Sequence, residues 1–143
     1  YVVSFCHMVA GSPDEIIASS IFTERDVDSK TSMIFKYDNG LIANLSCSMY
    51  DSQPNRAIIS GSDGYIEIDH TFYAPTSIRL YKNDQEMVEY VNNYEGHGLR
   101  QQAIYMEKCV SDKKLESDKM THKDTLEVMK IMDKVRIKTG LKF

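Results

Sequence analysis

Residues 57–68 have the sequence AIISGSDGYIEI, in which two short runs of branched and aromatic side chains flank a Ser-Asp-Gly turn. Such side chains favour strands, and glycine readily takes the positive φ angles that tight hairpins require. The stretch therefore predicts a β-hairpin whose turn ends at Gly64. Asp38-Asn39-Gly40 repeats this signal earlier in the chain and predicts a second hairpin.

The strand pattern extends through the middle half of the chain. From Glu15 to about Gln85, runs rich in Ile, Val, Tyr, Phe and Thr alternate with Gly, Asp, Asn or Pro. Two of these runs, at 77–82 and 87–91, predict further strands beyond the hairpin. We expect an antiparallel meander of about six strands.

Helical spacing flanks the strands on both sides. Before them, an apolar helix pattern ends at Gly11-Ser12-Pro13. After them, the last helix is predicted to begin at Thr121, with Asp124 completing a capping-box-like pair, and to end at Gly140. Two apolar helix faces are expected, one at Leu99, Ala103, Met106 and Val110, the other at Val128, Ile131, Met132 and Val135. This order predicts one α+β domain over residues 1–143, an open, mainly antiparallel sheet with helices covering one face.

The composition excludes several classes of partner. The 143 residues carry a net charge of -4 without runs of Lys or Arg, so nucleic acid is not an expected partner. No stretch reaches the roughly 18 apolar residues of a membrane-spanning helix, so no membrane partner is expected. Cys6, Cys47 and Cys109 lie among apolar residues without CxxC spacing, which predicts buried, reduced thiols and a cytoplasmic location.

Local catalytic and binding motifs are scarce. The sequence has no GxGxxG or Walker loop for a pyrophosphate, no GxSxG elbow, and no histidines close enough for a local metal motif. His97 stands between two glycines, where backbone can approach a ligand closely, and is our candidate substrate-binding residue. A solvated loop histidine is the alternative.

Several motifs together resemble one known family. The motifs are Gly11-Ser12-Pro13, Val27-Asp28, Tyr37-Asp38-Asn39-Gly40, the stretch 61–68, and the tail with Glu116-Ser117, Met120, residues 124–129, Met132-Asp133, Arg136 and residues 140–143. On these residues, essentially the whole chain resembles the C-terminal domain of the Gfo/Idh/MocA oxidoreductases, near their dihydrodiol dehydrogenase-like branch. Asp26 departs from the Gly-Val-Asp that the family often has at this turn.

The resemblance implies a two-domain enzyme. In such proteins an N-terminal Rossmann domain, absent from this chain, binds NAD or NADP. The C-terminal domain walls the site of a small-molecule substrate and often forms the dimer. Hydride passes between the nicotinamide and a sugar, polyol or diol carbon. Tyr1 matches the tyrosine that ends the Asp-x-Gly-x-Tyr motif of the dihydrodiol branch, which makes it the candidate catalytic residue; a structural tyrosine is the alternative.

Strand alternation separates two faces of the predicted sheet. Under the helices we expect Leu41, Ala43, Leu45, Cys47 and Met49. The opposite face carries small polar and aromatic residues, with Arg79 and Tyr81 on a later strand, a composition that suits a flat interface better than a solvated surface. We therefore expect a homodimer through the open sheet face, the alternative being an open sheet with one wet side.

Two classes of function compete for this sequence. The first is the C-terminal substrate and oligomerisation domain of an NAD(P)-dependent oxidoreductase that acts on a sugar, polyol or dihydrodiol. The alternative is a non-catalytic ligand-binding or dimerisation module. The chain opens at Tyr1 inside an apolar run and without a Met, which favours the first.

The missing phosphate loop generates a prediction about the chain alone. We expect the 143-residue chain to fold but to bind neither NAD nor NADP, because no glycine-rich loop presents backbone N–H groups to a pyrophosphate. Isothermal titration calorimetry with each cofactor checks this. Saturable binding near micromolar Kd, roughly -8 kcal/mol, would contradict it.

Overall fold

A computed structural model describes residues 1–74, 76–94, 96 and 98–142. The chain divides into two compact units, the first formed by Tyr1–Asp51 and Glu116–Phe143 and the second by Ser52–Leu115. Among the described residues the elements are α1 (Val2–Ala10), β1 (Glu15–Phe22), β2 (Asp28–Lys36), β3 (Ile42–Ser48), β4 (Ala57–Gly61), β5 (Gly64–Ile68), β6 (Ile78–Lys82), β7 (Val88–Tyr90), α2 (Leu99–Ser111) and α3 (His122–Thr139).

The first unit is a three-stranded antiparallel sheet with two helices on one face. Its strand order is β1-β2-β3, so β2 lies in the centre. Gly40 takes φ 87° in the turn between β2 and β3, which confirms the predicted hairpin. α3 packs against β1, and α1 packs against both β3 and α3. The predicted α+β class is confirmed.

Alternation along the strands supplies the core of this unit. Ile16 on β1 and both Met33 and Phe35 on β2 are buried, because every second side chain of a strand points to the same face. They pack with buried residues of the two helices, namely Val3, Cys6, Val128, Ile131 and Val135. The predicted buried face of α3 is thus confirmed, with Met132 partly buried beside it.

Local capping fixes both ends of α3. The Thr121 hydroxyl accepts a hydrogen bond from the Asp124 N–H, and the Asp124 carboxylate accepts one from the Thr121 N–H, each at 3.1 Å. Gly140 takes φ 80° after the last turn, and its N–H donates to the Arg136 carbonyl at 2.9 Å. Both predicted ends of the helix are confirmed.

The second unit contains a four-stranded antiparallel sheet of order β4-β5-β6-β7. The hairpin predicted from residues 57–68 joins β4 to β5. On one face a row of charges crosses the strands, since Arg79 lies opposite both Glu67 and Glu89. Its guanidinium is 3.0 Å from Glu89 and from Asp69. One pleat further along β6, the Tyr81 ring stacks on that of Tyr65 at a centroid distance of 4.4 Å.

The strands form two sheets and not one continuous meander of about six. β3 ends at Ser48 and β4 begins only at Ala57, with Pro54 and Asn55 between them. Proline has no N–H to donate to a ladder, and Asn55 takes φ 48°, so this segment does not continue an antiparallel pair. The break accounts for the difference from the predicted single sheet.

The apolar stripe predicted for α2 is exposed. Leu99 and Val110 are 74% and 71% exposed, and Met106 is 48% exposed. The buried residue of this helix is Cys109, which lies on another face. The prediction that the stripe packs on a sheet is therefore wrong for this chain, because helical periodicity locates an apolar face without showing what covers it.

Asp26 occupies the turn between β1 and β2 where the family often has glycine. It takes φ 57°, in the left-handed region, and its N–H donates to the Thr23 carbonyl at 3.0 Å. The Thr23 N–H in turn donates to the Val27 carbonyl at 2.8 Å. Aspartate tolerates this region better than most residues, so the turn keeps a geometry that suits glycine.

Two hairpin glycines provide a matched test of the backbone. A Cβ added to Gly64 (φ 146°) would collide with the backbone of Tyr81 and Lys82, whereas one added to Gly40 (φ 87°) would meet no atom within 4 Å. We expect Gly64→Ala to lower the free energy of unfolding by about 3 kcal/mol and Gly40→Ala by about 1 kcal/mol. Urea unfolding of both variants measures the difference. Equal losses would show that the close approach of β5 and β6 does not constrain the turn.

Candidate functional site

Tyr1 lies at the N-cap of α1 with its side chain turned to solvent. It is 81% exposed, and its side chain makes no capping hydrogen bond to the helix. Its carbonyl accepts the Phe5 N–H at 2.9 Å, which begins the helical ladder. The phenol of the candidate catalytic residue is therefore presented at one end of a short helix.

The helix-covered face of the first sheet becomes polar at one end. Ser20, Thr31 and Cys47 are directly cross-strand partners on β1, β2 and β3. The Ser20 and Thr31 hydroxyls are hydrogen-bonded at 2.7 Å, and Thr31 also contacts the Asp28 carboxylate at 3.2 Å. We call these four residues the polar end of the sheet. It follows directly on the apolar rows that contain Met33 and Phe35.

Cys47 is exposed, so the prediction that all three thiols are buried is wrong at this position. Partial desolvation is the largest cause that raises the pKa of the Cys47 thiol, followed by the negative charge of Asp28. A hydrogen bond from the Thr31 backbone acts in the opposite direction.

The other end of α1 is tied to the β2–β3 hairpin through Tyr37. The Tyr37 hydroxyl donates to the Gly11 carbonyl at 3.3 Å and lies 3.4 Å from the Cys6 sulfur. Burial, and then the hydrogen bond and charge of Cys6, raise the pKa of Tyr37 far above its usual value. The hydroxyl therefore keeps its proton at any physiological pH and remains a donor.

Two side-chain contacts join the end of α1 to α3. His7 Nε2 is 3.7 Å from an Asp124 carboxylate oxygen, and the Ser12 hydroxyl donates to Glu127 at 3.3 Å. Hydrogen bonds from the Thr121 side chain and backbone, and after them His7, hold the pKa of Asp124 below its usual value. Asp124 thus stays ionised while it caps α3 and faces His7.

A loop of the second unit brings aromatic and titratable groups together after β5. A ring nitrogen of His70 lies 2.8 Å from the Pro54 carbonyl oxygen, and the Phe72 and Tyr73 rings meet edge to face at 5.3 Å. Thr71 takes φ 64°, a region that a β-branched residue occupies only under local constraint. Such strained positions cluster at functional sites, which makes this loop a second candidate.

The structure describes one of the two site residues predicted from the sequence and not the other. Tyr1 is described above, whereas His97 lies outside the described residues. The polar end was not identified as a site from the sequence, although the alternation of β1, β2 and β3 could have aligned its members. Within the described part of the chain, no three His, Cys, Asp or Glu side chains are grouped to hold a metal, and no helix has the length and apolarity needed to cross a bilayer.

Comparison with known proteins supports a single family. The family model described as GFO/IDH/MocA C-terminal domain matches residues 1–67. The trans-1,2-dihydrobenzene-1,2-diol dehydrogenase of Xenopus tropicalis is 28% identical over 150 residues, which cover 100% of this chain and 46% of that protein. Its counterpart from Danio rerio is 26% identical over 151 residues, covering 99% and 44%. The chain therefore spans about half the length of the curated relatives it matches.

A solved structure shows the same fold. KijD10, a 3-ketoreductase from Actinomadura kijaniata in complex with NADP, superposes with a TM-score of 0.79 and 18% sequence identity. The superposition covers 97% of this chain and 45% of KijD10. At this level of identity the likeness establishes the fold alone. The resemblance drawn from the motifs is thereby confirmed: the family model matches the first 67 residues, and the dihydrodiol dehydrogenases align along essentially the whole chain.

Proposed function

We propose that this chain is the substrate and oligomerisation domain of an NAD(P)-dependent oxidoreductase that acts on a CH–OH group of a dihydrodiol, polyol or sugar. The observation that carries the proposal is similarity along 99 to 100% of the chain to dihydrodiol dehydrogenases. An exposed tyrosine at the start of α1 supports it chemically.

The cofactor in this proposal is NAD or NADP, held by a preceding Rossmann domain. The sequence has no glycine-rich phosphate loop, and the N-terminus of α3 already accommodates the Asp124 carboxylate. A nicotinamide would accept or supply the hydride. This chain would supply the substrate contacts and the proton transfer.

Tyr1 would act as the general acid or base. Oxidation of an alcohol releases a hydroxyl proton as the hydride leaves carbon, and reduction requires a proton at the same oxygen. A phenol at the helix start can exchange that proton, while the exposed thiol of Cys47 can form a hydrogen bond to a neighbouring hydroxyl of a diol or polyol. His97 is proposed as a further substrate contact.

We also propose a cytoplasmic location and a homodimer. Cys6, Cys47 and Cys109 are all free, as expected in a reducing compartment.

The face of the first sheet opposite its helices exposes Ile17, Ile34 and Ile42 by 45, 37 and 61%. Small polar residues separate these side chains and leave a shallow depression lined by Ser19, Ser32, Asn44 and Ser46. A flat face made of apolar and small polar side chains suits contact with a second copy of the chain better than contact with solvent.

The role of Tyr1 is tested in the full-length enzyme with a dihydrodiol or polyol substrate. We expect Tyr1→Phe to reduce kcat by about 10²- to 10⁴-fold, because the phenyl ring keeps its place but cannot transfer a proton. Cofactor affinity, measured by fluorescence titration, should not change. A reduction in kcat below about threefold would make Tyr1 a structural residue.

The interface is tested with a charge at the centre of the exposed face. Ile34→Glu should convert a dimer to a monomer at micromolar concentration, because an unpaired carboxylate buried in an interface costs several kcal/mol. Ile104→Glu, which changes an exposed side chain on α2, is the matched control and should leave the mass unchanged. Light scattering coupled to size exclusion measures both. A monomeric wild type would contradict the proposal.

A further inference from the structure

The two ends of α1 are held by different kinds of contact. At its start, Val3 is buried among apolar side chains and Tyr1 is exposed. At its end, hydrogen bonds from Tyr37 and Ser12 and the contact between His7 and Asp124 connect the helix to the hairpin and to α3. Apolar packing is non-directional, whereas hydrogen bonds need defined distances and angles. The rotation and register of the helix are therefore set from its far end.

Tyr37 is built to provide this fixed point. Its backbone N–H donates to the Leu41 carbonyl at 3.1 Å and its carbonyl accepts the Gly40 N–H at 2.9 Å, so the hairpin turn fixes its Cα. Its ring packs against the core of the first unit. Its hydroxyl then reaches both Cys6, inside the last turns of α1, and Gly11, which ends the helix. One side chain thus fixes two points of α1 relative to the sheet.

We propose that Tyr37 is a positioning residue for Tyr1, fixing the register of α1 and with it the place of the phenol at the start of the helix. The inference rests on the role proposed for Tyr1. A helix of nine residues is about 13 Å long, so a small change of tilt or register at Gly11 is carried to Tyr1 along the rigid hydrogen-bonded ladder. A misplacement of about 1 Å can reduce the rate of a catalysed reaction as much as 10²-fold.

Fluorine NMR on the 143-residue chain tests the positioning directly. The chain is labelled with 3-fluorotyrosine, and the Tyr1 signal is identified by its loss in Tyr1→Phe. We expect Tyr37→Phe to shift or broaden the Tyr1 signal while circular dichroism shows a folded chain. Tyr50→Phe removes an exposed hydroxyl and is the matched control, which should leave the Tyr1 signal in place. An unchanged Tyr1 signal in folded Tyr37→Phe would overturn the proposal.

A second pair of variants applies if Tyr37→Phe does not fold. Cys6→Ser keeps a hydrogen-bonding group beside the Tyr37 hydroxyl and should preserve the Tyr1 signal, whereas Cys6→Ala removes that group and should shift it. The same signal in both variants would count against the proposal.

Kinetics of the full-length enzyme separate this inference from the role of Tyr1 itself. We expect Tyr37→Phe to lower kcat about 10-fold with little change in KM, and Tyr50→Phe to change neither. If Tyr1→Phe lowers kcat and folded Tyr37→Phe does not, the positioning role fails and the role of Tyr1 stands. If Tyr1→Phe leaves kcat unchanged, the role of Tyr1 fails, and the fluorine signals still decide whether Tyr37 fixes α1.

Discussion

Burial of one face of the three-stranded sheet beneath α1 and α3 is the constraint on which the first unit depends. Phe35 at 1% and Ile131 at 2% exposure are the largest fully buried side chains of the described chain, one on the central strand and one on α3. Because strand side chains alternate, covering this face fixes which residues must point away from it. The same register that buries Phe35 exposes Ile34 on the other side.

The covered face also carries the polar groups of the first sheet at one of its ends. Its rows are apolar where the helices lie over them and polar in the row of Ser20, Thr31 and Cys47. Buried hydroxyls are costly unless they are hydrogen-bonded, and here Ser20, Thr31 and Asp28 satisfy one another. The polar end is therefore stable within the fold, while the thiol of Cys47 in the same row remains exposed. A rigid apolar scaffold thus ends in a row of groups that can contact a hydroxylated molecule.

Features of the fold that depend on neighbouring residues were predicted from the sequence. Features that depend on contacts between distant parts of the chain were not. The two glycine hairpins and the capped α3 depend on neighbouring residues, so Gly40, Gly64 and Thr121 could be read directly from the sequence. The division into two sheets depends on which strands pair, and the exposure of the α2 stripe depends on what covers it. Neither is encoded in a single periodic segment. At the site, Tyr1 was identified by resemblance, whereas Cys47 was misjudged because alternation assigns a side chain to a face without showing how much of that face is covered.

Specificity within such a domain should reside in few side chains. KijD10 shares the backbone arrangement at 18% identity, so most side chains can differ while the apolar pattern is kept. Tolerance of this kind is expected of a core that requires suitable volumes and patterning more than particular residues. Groups at the polar end are under a different constraint, since each hydroxyl, thiol or carboxylate there changes which hydrogen bonds a bound molecule can complete. In the function proposed above, replacing the exposed Cys47 would therefore alter substrate preference more than replacing a buried apolar residue such as Met33.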